Sequence, residues 1–184
     1  MDKTKILKYR RIDRPFNEIY FLTRPLRMTS RDDARFHVNH FLVEDDFSAV
    51  STNGAALHLV KRMTGLKPGY YKPLQVAKRL VKIEFTCTKE QAPLDYPDYN
   101  DIVREAENRE GKEISFFVNE EDQVSYSQAL AEIVRTMNKN YIDIRHLKNL
   151  ANDTWDAVVP PDGEHPLYLT QGHQFRALIM PSRM

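Results

Sequence analysis

Phe47-Ser48-Ala49-Val50-Ser51-Thr52-Asn53-Gly54-Ala55-Ala56-Leu57-His58-Leu59-Val60 decides the fold class of this chain. Asn53-Gly54 is a strong hairpin signal, because both central residues of a type I′ turn take positive φ. Residues 47–52 are therefore predicted as one strand and residues 55–60 as its return. Upstream, residues 35–43 first alternate and then become wholly apolar, which predicts a further strand. Asp45-Asp46 supplies the turn between them. These strands make an antiparallel meander. Before it, Asp13 followed by Pro15 marks a helix start. Phe16, Ile19 and Tyr20 recur at helical spacing, and Pro25 is expected to end that helix.

The remaining chain reads as more of the same two elements. Residues 3–14 carry Lys3, Lys5, Lys8, Arg10, Arg11 and Arg14, either as an edge strand with a solvated face or as a phosphate-seeking arm. Residues 69–73 predict a short strand ended by proline, residues 74–80 two helical turns, and residues 81–87 a half-buried strand. Residues 88–112 are polar and turn-rich. The mixed charge run at 104–112 reads as a solvated linker or a short exposed helix, and the domain boundary is placed there. Residues 114–118 are a strand. Ser125 and Gln128 fit a capping box, followed by Leu130, Ile133, Val134 and Met137 at i, i+3, i+4, i+7. The opposite face of that helix carries Gln128, Glu132, Arg135 and Lys139. Residues 141–144 predict a short strand and 145–151 a short helix with Leu147 and Leu150 inward. Strands at 155–159, 167–170 and 175–179 follow. Helices plus antiparallel strands, repeated, predict an α+β fold.

Composition narrows the function. With 27 basic and 26 acidic residues the net charge is +1, so any nucleic-acid surface needs segregated rather than excess charge. The single cysteine, Cys87, excludes a disulfide framework within the chain and suits a reducing, cytoplasmic setting. No apolar run approaches the length of a membrane span, and no signal-peptide pattern follows Met1. There is no phosphate-binding glycine loop and no G-x-S-x-G. His37 and His40 fall on opposite faces of the predicted strand, which is wrong for shared ligation. His40 and His58 could face each other across the hairpin, and are read as ordinary sheet histidines. The acidic pairs lie in turns with no reason to converge. No enzyme activity, metal or cofactor is expected.

Four pieces together resemble the bacterial DNA polymerase III beta subunit, the replicative sliding clamp. Arg35 and Asn39 keep the spacing of its Arg-x-x-x-Asn-Gly strand. Thr52-Asn53-Gly54-Ala55-Ala56-Leu57 stands where the family has Thr-Asp-Gly-His-Arg-Leu. Leu94-Asp95-Tyr96-Pro97-Asp98-Tyr99 looks like its Phe-Pro-Asp-Tyr segment, and residues 141–150 like a strand and helix of its last half-domain. Met180-Pro181-Ser182-Arg183-Met184 resembles its terminal Met-Pro-x-Arg-Leu. Read from its own residues, the tail is a docked core strand whose last residues reach the surface; the resemblance promotes it to a site. Asn53, Ala55, Ala56 and Met184 depart from the family pattern and imply a shallower, more apolar pocket.

The resemblance implies an α+β clamp-like fold, shortened, in two abbreviated units at 1–105 and 106–184. The alternative is one clamp domain from 13–62 plus 139–184 with an insertion. It implies a pocket for clamp-binding peptides of polymerase or repair proteins, formed by Thr52, Gly54, Ala55, Ala56, Leu57, Met180, Pro181, Ser182, Arg183 and Met184. It implies helices facing double-stranded DNA without reading its sequence, with Lys78, Arg79, Lys82, Arg135, Lys139, Arg145 and Lys148 as the candidate cations. Four predicted helices per chain would make twelve in a trimer, the family's ring count. The implied function is a non-enzymatic sliding-clamp-like processivity factor. The alternative is a peptide-binding adaptor or decoy that has lost the ring.

Overall fold

The computed structural model describes residues 4–26, 38–63, 65–78, 82–90, 96–119, 121–136, 142–161 and 164–181. The chain divides into two compact units. The first holds Met1–Gly54 and His58–Pro97, and the second holds Ala55–Leu57 and Asp98–Met184.

In the first unit, strands β1 (Lys5–Arg10), β2 (Phe41–Val43), β3 (Ala49–Thr52), β4 (Ala56–Val60, of which His58–Val60 belong to this unit), β5 (Gly69–Lys78) and β6 (Lys82–Glu90) lie in the order β1-β6-β5-β2-β3-β4. Neighbours β1–β6, β6–β5, β5–β2 and β2–β3 are antiparallel. Helix α1 (Arg14–Leu26) packs on this sheet. Its Phe16, Ile19, Phe21 and Leu22 are buried, as are Phe41, Tyr71, Ile83 and Phe85 from the strands. The centroid of the Phe41 ring lies 5.4 Å from that of Tyr71 and 5.8 Å from that of Phe85.

Pro25 lies inside α1 rather than ending it. A proline there supplies no N–H to the carbonyl four residues back, that of Phe21. His58 Nδ1 donates to that carbonyl instead, at 2.9 Å, and its ring stacks on Phe21 at 4.1 Å. The bond requires the proton on Nδ1. The helix therefore tolerates its proline through a side chain from β4.

In the second unit, β7 (Lys112–Val118), β8 (Asp153–Val159), β9 (Leu167–Gln171) and β10 (Phe175–Ile179) form an antiparallel sheet in the order β10-β9-β8-β7. Alternate residues Ile114, Phe116, Val118, Trp155, Ala157, Val159, Leu167, Leu169, Ala177 and Ile179 are buried. Helix α3 (Gln123–Thr136) packs on β7, and the short α4 (Ile144–Leu147) packs on α3. Helix α2 (Asn100–Glu107) sits by β9, where Tyr168 donates its hydroxyl to Glu107 Oε1 at 2.9 Å. Burial and that bond together raise the Tyr168 pKa. A run of strand, helix and three strands thus occurs twice in the element order, as β1-α1-β2-β3-β4 and, with α4 added, as β7-α3-β8-β9-β10.

Several predicted elements need correction. Of the strand expected at 35–43, only Phe41–Val43 forms; residues 38 and 39 make a turn, and 35–37 lie outside the described residues. Val38, His40 and Phe41 are all buried, which no alternating strand would give. Phe47 and Ser48 belong to a turn, where Asp46 accepts from the Ser48 amide and hydroxyl and Phe47 takes φ 64°. The Asn53-Gly54 turn is not type I′, because only Gly54 has positive φ (87°). Thr52 Oγ1 accepts from the Gly54 amide, and Asn53 Nδ2 donates to Pro25 O at 3.4 Å.

Residues 74–78 are strand, not helix. Leu74 forms a bulge between Pro73, opposite Cys87, and Gln75, opposite Thr86. A bulge is one of the few sheet positions that tolerates proline, which has no amide to donate. Helix α3 begins two residues before Ser125. Asp122 Oδ1 accepts from Val124 N at 2.9 Å, and Ser125 instead bonds back to residues 119 and 122. The buried residues of α3 are Ser125, Tyr126, Ala129 and Ile133, while Val134 is exposed, so the inward face is rotated from the expected one. Residues 142 and 143 are not strand: Asp143 is the N-cap of α4, accepting from Arg145 N. Residue 141 lies outside the described residues.

Candidate functional site

A hydrogen bond links the hairpin to the tail. Met180 N donates to Ala55 O at 2.8 Å. Residues 53–55 form the loop between β3 and β4. β10 ends at Ile179, and the first residue past it reaches that carbonyl. Ala55–Leu57 and Met180 accordingly belong to one compact unit.

Side-chain exposure divides this group. Ala177, Leu178 and Ile179 are buried, so β10 is a core strand as its own residues suggest. Met180 is 42% exposed, and Pro181 half-buried. Ala56 is buried, while Ala55 and Leu57 are half-buried. Thr52 and Gly54 lie in the first unit, directly before Ala55 in the chain. Ser182, Arg183 and Met184 fall outside the described residues. Met180 is the exposed large apolar side chain of this group.

The candidate cations are less concordant. Lys78 and Lys82 lie on strands β5 and β6, not on a helix. Arg79 and Lys139 lie outside the described residues. Arg135 is on α3, and its Nη2 donates to both carboxylate oxygens of Glu132, at 2.7 and 2.9 Å. Arg145, the second residue of α4, donates Nε to Asp143 Oδ2 at 2.8 Å. That side-chain bond, with the Arg145 amide bond, holds the Asp143 carboxyl below its ordinary range. Lys148 is exposed at the C-cap of α4. Sequence reading misses both carboxylates as partners. The i, i+3 spacing of Glu132 and Arg135 carries that signal; Asp143 is hidden by the strand expected over it.

Three of the described histidines are buried. His58 holds the Phe21 carbonyl, and His146 is buried in α4, its pKa lowered first by desolvation. His40 is also buried. Among the described residues, no group of three or more His, Cys, Asp or Glu could hold a metal ion, and no helix is long and apolar enough to cross a membrane.

Comparison with solved structures identifies the architecture. The chain is similar to the DNA polymerase III subunit beta of Pseudomonas aeruginosa, with a TM-score of 0.52 and 10% identity over 97% of this chain and 67% of that one. It is similar to the pol III beta of Caulobacter crescentus, with a TM-score of 0.52 and 12% identity over 100% and 67%. A Eubacterium rectale protein described as a putative DNA polymerase III beta subunit gives a TM-score of 0.56 and 11% identity over 100% and 66%. No protein-family profile matches the chain, and no curated protein matches it in sequence. The fold is α+β and sliding-clamp-like, and the matches span about two thirds of the length of these solved chains. At such identities the likeness is one of fold, and the site must be argued from this chain's own residues.

Proposed function

We propose that this chain is a clamp-like scaffold whose hairpin–tail surface takes a short apolar peptide from a polymerase or repair protein and tethers it to DNA. The observation that carries this reading is the bond from Met180 N to Ala55 O, which sets an exposed methionine beside Ala55–Leu57. A linear peptide gains affinity by burying a few apolar anchors against such a surface. Thr52 and Gly54 precede it in the chain. Alanines at 55 and 56 present no charged rim, so selection rests on apolar fit.

A labelled six-residue peptide panel with two or three Leu or Phe anchors tests this by fluorescence anisotropy. Met180→Ala is expected to weaken binding by about fivefold, roughly 1 kcal/mol of lost apolar contact. Deletion of residues 180–184 is expected to abolish it. Unchanged affinity in both variants rejects the pocket.

Tethering on DNA further requires that copies of the chain close around the duplex. The four-helix count behind the trimer includes residues 74–80, whose described part is strand, so the number of copies is left to the measured solution mass. A second reading, an adaptor that binds peptide without encircling DNA, is favoured by the pairing of Arg135 with Glu132 and of Arg145 with Asp143. Each pair offers phosphate little net charge. Retention on closed circular DNA, lost once the circle is cut, supports the ring; no retention on either form supports the adaptor.

A further inference from the structure

Asn53 is the one asparagine of the sequence that a glycine follows. An asparagine side chain carries an electrophilic carbon, Cγ, one ring closure away from the amide nitrogen of the next residue. A side chain on that next residue crowds the nitrogen, and glycine has none. The dipeptide is therefore reactive by its covalent structure, and the hairpin that holds it decides how fast it reacts. Gly54 is exposed and takes φ 87°, so solvent reaches the turn.

Two hydrogen bonds oppose ring closure, and all of their residues lie in the first unit. Thr52 Oγ1 accepts from the Gly54 amide at 3.0 Å. The nitrogen must lose that proton before it attacks, and the bond stabilises the protonated amide. Asn53 Nδ2 donates to Pro25 O at 3.4 Å, which holds the side chain toward α1. We propose that Asn53 is a site of spontaneous deamidation that the folded hairpin restrains through the Thr52 hydroxyl and the Pro25 carbonyl, and that reacts when the turn opens.

The step balances with water as the sole co-reactant. Solvent base takes the Gly54 amide proton, and that nitrogen forms a bond to Asn53 Cγ. The bond from Cγ to Nδ2 breaks, and Nδ2 takes protons from solvent and leaves as ammonia. A five-membered cyclic imide remains. Water then opens it at one of two carbonyl carbons. Opening at the main-chain carbon leaves isoaspartate, with the backbone routed through the side chain; opening at Cγ leaves aspartate. Nothing is oxidised or reduced.

The product differs where it matters to the first unit. Pro25 lies in the last turn of α1, where carbonyls lack donors from within the helix. The Asn53 amide serves one of them. A carboxylate at 53 has no N–H to donate there, and its charge faces the negative end of the helix dipole. Deamidation thus removes a bond between hairpin and helix and does not reverse. This chemistry needs neither a bound peptide nor DNA.

The test incubates the full chain at mildly alkaline pH, folded or in urea. Mass spectrometry follows the proteolytic fragment that contains Asn53, and chromatography separates aspartate from isoaspartate. In urea, Asn53 is expected to convert faster than any other asparagine. In the folded wild type its conversion is expected to be slower by about tenfold or more. Thr52→Val keeps the branched shape but loses the acceptor, and is expected to speed the folded-state reaction about fivefold. Thr52→Ser keeps the acceptor and should stay within about twofold of wild type. Both variants should match wild type in urea, and far-UV circular dichroism confirms that each folds. Asn53→Asp, the product made directly, is expected to lower the urea midpoint. Equal wild-type rates folded and in urea, a Thr52→Val rate equal to wild type in the folded state, or an unchanged midpoint in Asn53→Asp overturns the proposal.

Discussion

His58→Leu tests whether β4 compensates for the proline in α1. Leucine keeps most of the buried volume but cannot donate to the Phe21 carbonyl. Losing a donor to a buried acceptor costs about 1–3 kcal/mol. Loss of the ring stacked on Phe21 adds about 0.5–1.5 kcal/mol, partly offset by the greater apolarity of leucine. The net expectation is about 2 kcal/mol of destabilisation. The decisive comparison is the same substitution beside Pro25→Ala. The alanine amide in that background can donate to the Phe21 carbonyl as an ordinary helical residue does, so the penalty should fall by about 1 kcal/mol. Urea unfolding followed by far-UV circular dichroism measures both costs. Trp155 emission recorded in parallel follows the second unit, where that residue is buried and donates Nε1 to Ala151 O at 2.9 Å. Equal costs of His58→Leu in the wild-type and Pro25→Ala backgrounds would refute the compensation.

Other perturbations have equally definite outcomes. Asp122→Ala removes the side-chain cap of α3 and is expected to cost about 1 kcal/mol in the same unfolding assay; Asp122→Asn should retain most of it. At Gly111, an alanine Cβ would lie 2.6 Å from the Val159 carbonyl oxygen, so Gly111→Ala is expected to destabilise the β7–β8 pair, read as faster amide exchange in both strands. His146 titrates lower in the folded chain than unfolded, because desolvation and Arg145 outweigh the attraction of Asp143. Its contribution is therefore present above the unfolded pKa, near 6.5, and declines as pH falls through the folded value. Stability measured across that range should slope less steeply in His146→Gln. A His146→Gln profile identical to wild type would reject the assignment.

The second unit is the more legible from sequence, because its strands alternate cleanly. Trp155, Ala157 and Val159 face one way with less buried residues between, and β7 follows the same rule. The stretch at 74–78 misleads because Leu, Gln, Ala and Lys favour helix and the preceding proline looks like a first helical turn. Pairing with β6, whose own alternation is strong, overrides that local preference. At Asn53-Gly54 the hairpin is legible but its geometry is not: the Asn53 side chain is drawn to Pro25 O, a contact no local pattern encodes. The approach of Met180 to Ala55 is likewise a long-range fact. The family resemblance of the two segments implies it; their periodicity does not. The carboxylates that occupy Arg135 and Arg145 show the reverse failure, since a solvated helix face reads as available charge until its partners are placed.

The Ala55 carbonyl also sets an order of events during synthesis. A ribosome adds about 5–20 residues per second, so the hairpin emerges seconds before the amide of Met180 exists. Through that interval the nascent loop lacks the donor that later fixes it.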